Sequence, residues 1–331
     1  MSVNTSIGLI GVAKQANKST AASTPTFVHG LTGGSTFKLD MTIEADDVSC
    51  GVRSNTDSHR ESIVPGADFE TYGYSDVLPL YFYGAMGDIV STTSGTNKKH
   101  TITLGDVLPY LTVWGRTGGE YTKVAGCKVD ELDMEFSGNA PLQFGVTLIG
   151  MTDTLQVGSM PGGVDPSCFD GYYIPTGGTF KIDANGTSPA TAPVTAGQLT
   201  LSNNCSTTML AGQVKPGDVA EGKLTASGSV TVKPDDMALY YEVVTGLANG
   251  TTSTGEMVYG SFEWTFTHSK ESAHTLKVTA NHVPFMAEWP EVDPNGGAAE
   301  VQFTFDSIGL AAAGDSPVTV EIINDTASYT S

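Results

Sequence analysis

Three carboxylates recur at every second residue near the middle of the chain, at Glu131, Asp133 and Glu135. Residues two apart in a β-strand point to the same face, so this spacing predicts three like charges on one side of a strand. Like charges so close together need water around them, and the face that carries them is therefore expected to be solvated. Such a face would repel a polyanion such as DNA. An exposed outer face without this role is the alternative interpretation.

Four other acidic residues lie on comparable polar faces and are weaker candidates for the same acidic surface: Asp40, Glu44, Glu263 and Asp306. On the opposite faces, aromatic residues recur with a period of two. This period is typical of a strand interior and predicts core packing rather than a ligand-binding aromatic box. The aromatic residues concerned are Phe262, Trp264, Phe266, Phe303 and Phe305.

The sequence contains no recognisable catalytic or metal-binding motif. Its six histidines form no HxH or HExxH pair, and no Walker or dinucleotide-binding loop occurs. Residues 314–317 (GDSP) look like a serine-protease fragment but lack the accompanying histidine and aspartate. Residues 183–187 (DANGT) begin with the spacing of a calcium loop but are not followed by a glutamate at its twelfth position. We therefore predict a protein that is not an enzyme and needs neither cofactor nor metal.

The chain of 331 residues is strongly acidic, with 36 Asp and Glu against 16 Lys and Arg. A net charge of −20 argues against a function in which this protein binds nucleic acid through the phosphates. The charge could also serve solubility alone. Four cysteines without a CxxC pair predict reduced thiols rather than a disulfide scaffold or a zinc ribbon. No signal peptide and no membrane-spanning segment are expected, and no membrane partner is predicted.

The pattern of residues predicts an all-β fold with one short helix in each half. The 39 glycines, 16 prolines and many threonines, serines and valines fit strands separated by turns. The clearest alternation is at 37–44, and helices are predicted from Ser75 or Asp76 to Met86 and from Pro234 to Val244. Residues 1–35 are expected to form an arm, and 46–62 and 88–99 polar loops. Further strands are predicted at 67–72, 100–104, 110–114, 121–132 (extending toward 136), 142–149, 198–202, 224–232, 261–268, 274–282, 299–307 and 318–323.

The second half of the chain repeats the first. Residues 142–151 (LQFGVTLIGM) align without a gap with 301–310 (VQFTFDSIGL), at an offset of 159. In the same order, 123–129 (KVAGCKV) matches 277–283 (KVTANHV), and DVLPLY at 76–81 corresponds to DMALYY at 236–241. A duplicated subunit can fill two neighbouring positions in a ring, so the ring needs half as many chains.

The repeat predicts two units, each large enough to bury a core of its own. The first unit spans 1–155 and includes the N-terminal arm. A connection rich in glycine and proline follows at 156–178. The second unit spans 179–331 and ends in a polar tail.

Several segments together resemble the major tail tube protein of long, non-contractile bacteriophage tails. They are 11–15 (GVAKQ), 23–27 (STPTF), 33–38 (GGSTFK), 121–132 (YTKVAGCKVDEL) and 142–151. The resemblance covers nearly the whole chain, including the duplication. Two departures are expected: no long second strand precedes the first helix, and no very long inter-ring loop is evident.

The resemblance implies a tandem of β-sandwich or barrel-like units, each with one flanking short helix. Strands of neighbouring units would join into a β-barrel around a lumen, and stacked rings would form the tube through which DNA leaves the capsid. The implied protein is a structural part of the virion, assembled in the host cytoplasm. Its implied partners are further copies of itself and the tail tip, tape-measure and tail terminator proteins, with DNA passing through the lumen without specific binding.

Two further expectations follow from the resemblance. Tubes of this type are usually sixfold, so the duplication makes a trimeric ring with pseudo-sixfold symmetry the natural form. A hexamer of whole chains, with one repeat decorating the outside, is the alternative. Arg53 and Arg60, in the predicted polar loop, are candidates for salt bridges between rings of this acidic protein.

A different class of function also fits the composition. A two-domain β-sandwich adhesin or capsid decoration protein would share the many strands and the acidic surface, but it would not polymerise. The apparent molecular mass in solution distinguishes the two.

Overall fold

The computed structural model of the chain describes residues 6, 8–45, 54, 57–162, 166–186, 188–290 and 299–330. β-Strands dominate these ranges, and the predicted all-β class with short helices is confirmed. The first-half strands are β1 (Gly8–Lys14), β2 (Phe27–Gly30), β3 (Gly33–Ala45), β4 (Ser58–Tyr72), β5 (Gly87–Ser94), β6 (Asn97–Leu104), β7 (Leu111–Thr117), β8 (Glu120–Ser137), β9 (Gln143–Ile149) and β10 (Thr152–Leu155).

The second half contributes strands β11 (Tyr173–Asp183), β12 (Ala190–Thr191), β13 (Val194–Ser202), β14 (Ser206–Met209), β15 (Pro216–Ala220), β16 (Thr225–Val232), β17 (Gly260–His268), β18 (Thr275–Val283), β19 (Met286–Ala287), β20 (Val301–Phe305) and β21 (Thr319–Asn324). Within the described ranges the helices are α1 (Leu78–Met86) and α2 (Ala238–Thr245), and a 3₁₀ turn lies at Ser167–Phe169. β11 begins at Tyr173, inside the stretch 156–178 that was predicted as a connection.

Three segments predicted as irregular are β-structure instead. β4 begins at Ser58, so the long second strand before α1 is present and Arg60 lies on it. Residues predicted as the loop 88–99 form the hairpin of β5 and β6, because their β-branched side chains favour a strand even where they are exposed. The predicted N-terminal arm contains β1 and β2, which pair with each other, and β1 also pairs with β7.

One large sheet runs through both halves of the chain. Its main row has the order β3, β4, β9, β8, β13, β16, β20, β19, with all neighbours antiparallel. β8 is long enough to belong to two groups of strands. Residues 120–127 pair with β7 and β10, whereas the part from 128 onward pairs with β9 and β13.

The two halves of this row have matching registers. Glu70 of β4 lies opposite Gly145 of β9, and Ser229 of β16 lies opposite Thr304 of β20. Adding 159 to both members of the first pair gives the second pair. The offset found in the sequence therefore also relates the strand pairings, and the strand order β3–β4–β9–β8 is matched by β13–β16–β20–β19.

A second sheet packs against the first and also draws strands from both halves. Its order is β12, β11, β17, β18, β21, β6, β5. The core between the sheets is one connected cluster in which the period-two aromatic residues of β17 and β20 are buried, as their spacing predicts.

The two helices differ in burial. Eight of the nine residues of α1 are buried, whereas none of α2 is. α1 carries Pro79 in its first turn, where a missing N–H costs nothing, and ends at Gly87 with a φ of 92°. The predicted side-chain cap is wrong: Val77 holds the N-cap position, while Asp76 accepts a hydrogen bond from Ser167 Oγ at 2.5 Å.

Candidate functional site: an acidic sheet face between two open edges

The two halves of the main sheet row are joined by β8 and β13. In this joint Asp133 lies opposite Thr200, and Glu135 lies opposite Gln198. Asp133 Oδ1 accepts hydrogen bonds from Thr200 Oγ1 at 2.6 Å and from Gln198 Nε2 at 3.1 Å. The joint therefore combines a backbone ladder with side-chain bonds on its polar face.

The opposite face of the joint is sealed by aromatic rings. Phe136 of β8 is 3% exposed and packs 5.0–5.2 Å from the ring centroids of Phe180, Trp264 and Phe266, all in the second half. Its cross-strand partner is Gly197, where an added Cβ would come within 2.6 Å of the Phe136 ring. Glycine is thus required for the ring to lie across β13.

An ion pair lies next to the first residues of the same joint. The side chain of Lys128 is only 4% exposed; its ammonium pairs with the carboxylate of Glu221 and lies 4.6 Å from the ring centroid of Tyr110. Partial burial disfavours ionisation of Glu221, but the Lys128 ammonium and nearby backbone donors outweigh it, so the pKa of Glu221 is lowered. Beside this pair, Asn203 Nδ2 is 2.9 Å from the carbonyl oxygens of Ala85 and Val129, which ties the second half to the end of α1.

The outer ends of the main row are open within the part of the chain that the structure describes. There, β3 pairs only with β4, and β19 only with β20. Large apolar side chains are exposed near both ends: Met41 and Ile43 on β3, Met286 on β19, and Trp289, which is 56% exposed. Unpaired edges of this kind can extend a sheet into another chain.

The solvent face of the row is polar and acidic. Glu131, Asp133 and Glu135 alternate with buried Leu132, Met134 and Phe136, so the three carboxylates share this face. Neighbouring strands add serines, threonines and glutamines at matching positions: Thr147, Gln198, Thr200, Ser202, Ser227, Ser229 and Gln302.

Further carboxylates lie on the same face. Asp68 and Glu70 of β4 reach it because they stand opposite Thr147 and Gly145, which face Glu131 and Asp133. Their alternation with buried Ala67, Phe69 and Thr71 is the sequence signal that places these two unpredicted carboxylates on the polar side of β4. Partial burial, and then the carboxylates of Asp133, Asp130 and Asp68, raise the pKa of Glu131.

Two of the weaker candidates also belong to this face. Asp40 of β3 stands opposite Val64 of β4, which is four residues from Asp68 and so points to the same face, and the Asp40 carboxylate lies 3.6 Å from the ammonium of Lys38. Asp306 directly follows β20 and is exposed, two residues after Thr304.

The other candidates lie elsewhere. Glu44 is near the far end of β3, 3.9 Å from His59 Nε2. Glu263 is on β17 in the second sheet, between Lys181 and Lys277 at 2.7 and 2.6 Å; these two ammonium groups lower its pKa. Arg60 is exposed on β4 opposite Ile43, and Arg53 lies outside the described residues.

One detail of the predicted alternation is wrong. Unbroken alternation along β8 would put Lys128 and Asp130 on the side of Leu132, with Cys127 and Val129 on the acidic side. A β-bulge between Val129 and Glu131 inserts Asp130 as an extra residue, so Cys127 and Val129 are fully buried with the core.

Burial shifts the pKa values of His29 and of the Cys127 thiol. His29 Nε2 lies 2.6 Å from Tyr81 Oη, and burial lowers the pKa of His29 to about 4, although a backbone hydrogen bond to Gly30 opposes the shift. Burial also raises the pKa of the Cys127 thiol, which keeps it protonated. Among the described residues, no group of three or more His, Cys, Asp or Glu could hold a metal ion. Nor do they include a helix with the length and hydropathy needed to cross a bilayer.

Comparison with known proteins identifies the family. No curated protein matches the chain. The family model described as phage tail tube protein matches residues 5–320, which is nearly the whole chain and includes both halves of the main sheet and both helices. The chain therefore belongs to the phage tail tube protein family.

Proposed function

We propose that this chain polymerises edge to edge into rings, which stack into the tube that conducts DNA during ejection. Family membership gives the tail tube role. The observation that carries the ring is the main sheet row, where a four-strand order occurs twice and the two copies are joined by β8 and β13. The open edges, β3 and β19, occupy the positions that β13 and β8 hold in this joint, so one chain can continue the sheet of the next.

The proposed ring contains three chains. The matching register of β4–β9 and β16–β20 supports two tail-tube units per chain, at 1–155 and 179–331, connected by 156–178. A sixfold tube then needs three such chains, with α1 and α2 flanking successive units. In this arrangement the chain supplies eight neighbouring strands of the wall.

We assign the acidic face of the main row to the lumen. Glu131, Asp133 and Glu135 would lie there with Asp40 and Asp306, while Glu263 would lie outside because it belongs to the second sheet. Like charges would keep DNA from adhering to the wall, so it would pass without specific binding. The other proposed partners are the tail tip, tape-measure and tail terminator proteins, and the proposed location is the virion tail after assembly in the host cytoplasm.

Electron microscopy of the concentrated protein, with end-on class averages and native mass spectrometry, tests the proposal. Hollow particles with six lobes and the mass of three chains per ring are expected. Six full-size subunits per ring would retain the tube but contradict the trimer. Dispersed monomers, even when seeded with purified tail tips, would contradict polymerisation and favour an adhesin or decoration protein.

Contacts between rings are proposed at the outer part of the β3–β4 hairpin. Arg60 is exposed there, on a surface that must meet another acidic ring. Reversing the charge with Arg60→Glu and Arg53→Glu together should leave single rings intact and prevent their stacking. Normal tubes from the double variant would show that neither arginine is needed for the contact between rings.

A further inference from the structure

The joint inside the chain can be mapped onto the open edge of β19. Asp133 of β8 stands opposite Gly145, and Met286 of β19 stands opposite Thr304. Gly145 and Thr304 are related by the repeat offset of 159, so Met286 holds the position of Asp133. Three residues further along, Trp289 holds the position of Phe136.

These two aromatic residues have opposite surroundings. Phe136 is almost completely buried beneath β13 and the second-half aromatic rings. Trp289 is 56% exposed, and its ring contacts within the described part of the chain are all on its α2 side, at 5.1 Å from Tyr240 and 6.3 Å from Tyr241. A large indole left half in water at a sheet edge is a typical anchor for a partner.

The same mapping identifies what Trp289 would face. Thr200 of β13 stands opposite Ser227, and Ser35 of β3 stands opposite Asp68, again related by 159. Ser35 therefore holds the position of Thr200, and Thr32 holds that of Gly197, the residue opposite Phe136.

A hollow of about 350 Å³ lies at this point of the first half. It opens beside the start of β3 and the turn between β7 and β8, and its lining includes Leu31, Thr36, Phe37, Thr117, Glu120 and Thr122. Leu31 and Phe37 offer apolar surface, since both are only partly buried against the core. The threonine hydroxyls and the Glu120 carboxylate offer acceptors for an indole N–H.

We propose that Trp289 of one copy inserts into this hollow of the next copy when β19 pairs with β3, as Phe136 does inside the chain. The inference rests on the proposed ring and names the anchor of its joint. The chemistry of the two sites explains the different residues. Phe136 is surrounded by aromatic rings, whereas the hollow has polar acceptors that suit the N–H of tryptophan.

Intrinsic fluorescence tests the proposal in the unmodified protein. Of the three tryptophans, Trp114 and Trp264 are at most 2% exposed, so Trp289 dominates quenching by acrylamide in the monomer. On ring formation, we expect this quenchable fraction to disappear and the emission to shift to shorter wavelength. Rings in which the same fraction stays quenchable would overturn the insertion of Trp289, but not the ring itself.

Variants test the anchor from both sides. Trp289→Ala should raise the protein concentration needed for ring formation about 30-fold or more, the effect of losing a typical interface hot spot, while Trp289→Phe should retain most of the assembly. Val90→Ala is the matched control, because Val90 is also about half exposed but lies on β5 in the other sheet. It should assemble as the unmodified protein does, and equal loss in both variants would contradict a specific anchor.

Blocking the hollow with Thr122→Arg should have the same effect as Trp289→Ala. A mixture of the two variants leaves one intact tryptophan facing one intact hollow, so it should give dimers and no rings. Normal rings from either variant would overturn the inference and leave the proposed function standing. Failure of the unmodified protein to assemble would instead contradict the proposed function.

Discussion

Loss of the ion pair between Lys128 and Glu221 should destabilise the folded chain more than any exposed ion pair does. The pair joins β8 of the first half to the residue that follows β15 in the second. The Lys128 side chain is 4% exposed, whereas the Glu221 side chain keeps about a quarter of its surface in water. Glu221→Gln leaves a buried cation with only an amide partner and the ring of Tyr110.

The expected size of the effect follows from this burial. Removing one partner of a buried ion pair costs about 3–5 kcal/mol, because the remaining charge stays out of water. The ring of Tyr110 contacts the ammonium with or without Glu221, so it does not change this difference. Because a quarter of the Glu221 side chain already reaches water, we expect Glu221→Gln to lower the free energy of unfolding by about 3 kcal/mol, the low end of that range. Lys128→Met should cost less, since the carboxylate it leaves can still be hydrated.

The matched control is Glu321→Gln. Glu321 of β21 pairs with Lys99 of β6 and so also bridges the two halves, but both side chains are about one-third exposed. Such pairs contribute about 0–1 kcal/mol. Urea unfolding of the monomeric variants, with unchanged slopes, measures the difference. Equal losses for the two glutamines would refute the argument that burial of Lys128 sets the strength of the joint.

Three further results are expected. Because burial lowers the pKa of His29 to about 4, the unfolded chain binds a proton between pH 6.5 and 4 that the folded chain excludes. About 3 kcal/mol of stability should therefore be lost as the pH falls through this window, and His29→Gln should reduce that loss in unfolding measured against pH. The raised pKa of Glu131 means that its charge is a penalty at neutral pH; Glu131→Gln should therefore stabilise the monomer at pH 7 and have no such effect below the ordinary carboxyl pKa, and a constant effect across pH would contradict the charge repulsion. Replacing Glu131, Asp133 and Glu135 by lysine should make assembled rings bind single- or double-stranded DNA with strong salt dependence, measured by binding isotherms at 50 and 200 mM salt. If the acidic face lines the lumen, Glu263→Lys on the other sheet should not have this effect.

Strands with one buried face could be predicted from the sequence. β17 and β20 show strict alternation of large apolar and polar residues, and the structure places them within two residues of the predicted bounds. β5 and the outer half of β4 could not, because both faces of these segments are largely exposed and carry no apolar period. Pairing in a hairpin, rather than burial, holds them as strands.

The acidic face was predictable only in part. The spacing of Glu131, Asp133 and Glu135 was sufficient to place them on one face, since the strand from Glu131 onward is regular. The bulge at Asp130 could not be predicted, because it depends on the pairing with the partner strand. Alternation also cannot say to which sheet a strand belongs, and for this reason Glu263 had the same standing as Asp306 in the sequence.

The differences between the inner joint and the open edges have a physical reason within the proposed ring. The joint of β8 and β13 forms once, during folding, so it can bury an aromatic cluster and an ion pair without risk. The outer edges must stay unpaired until assembly begins, and each has features that hinder premature pairing. β19 has only two residues, and β3 contains a bulge and exposed charges at Lys38 and Asp40. Trp289, which packs against α2 on one side, can then offer contact area to a neighbouring chain although β19 leaves few backbone groups unpaired. Assembly would therefore depend on an edge whose anchor is already held in place.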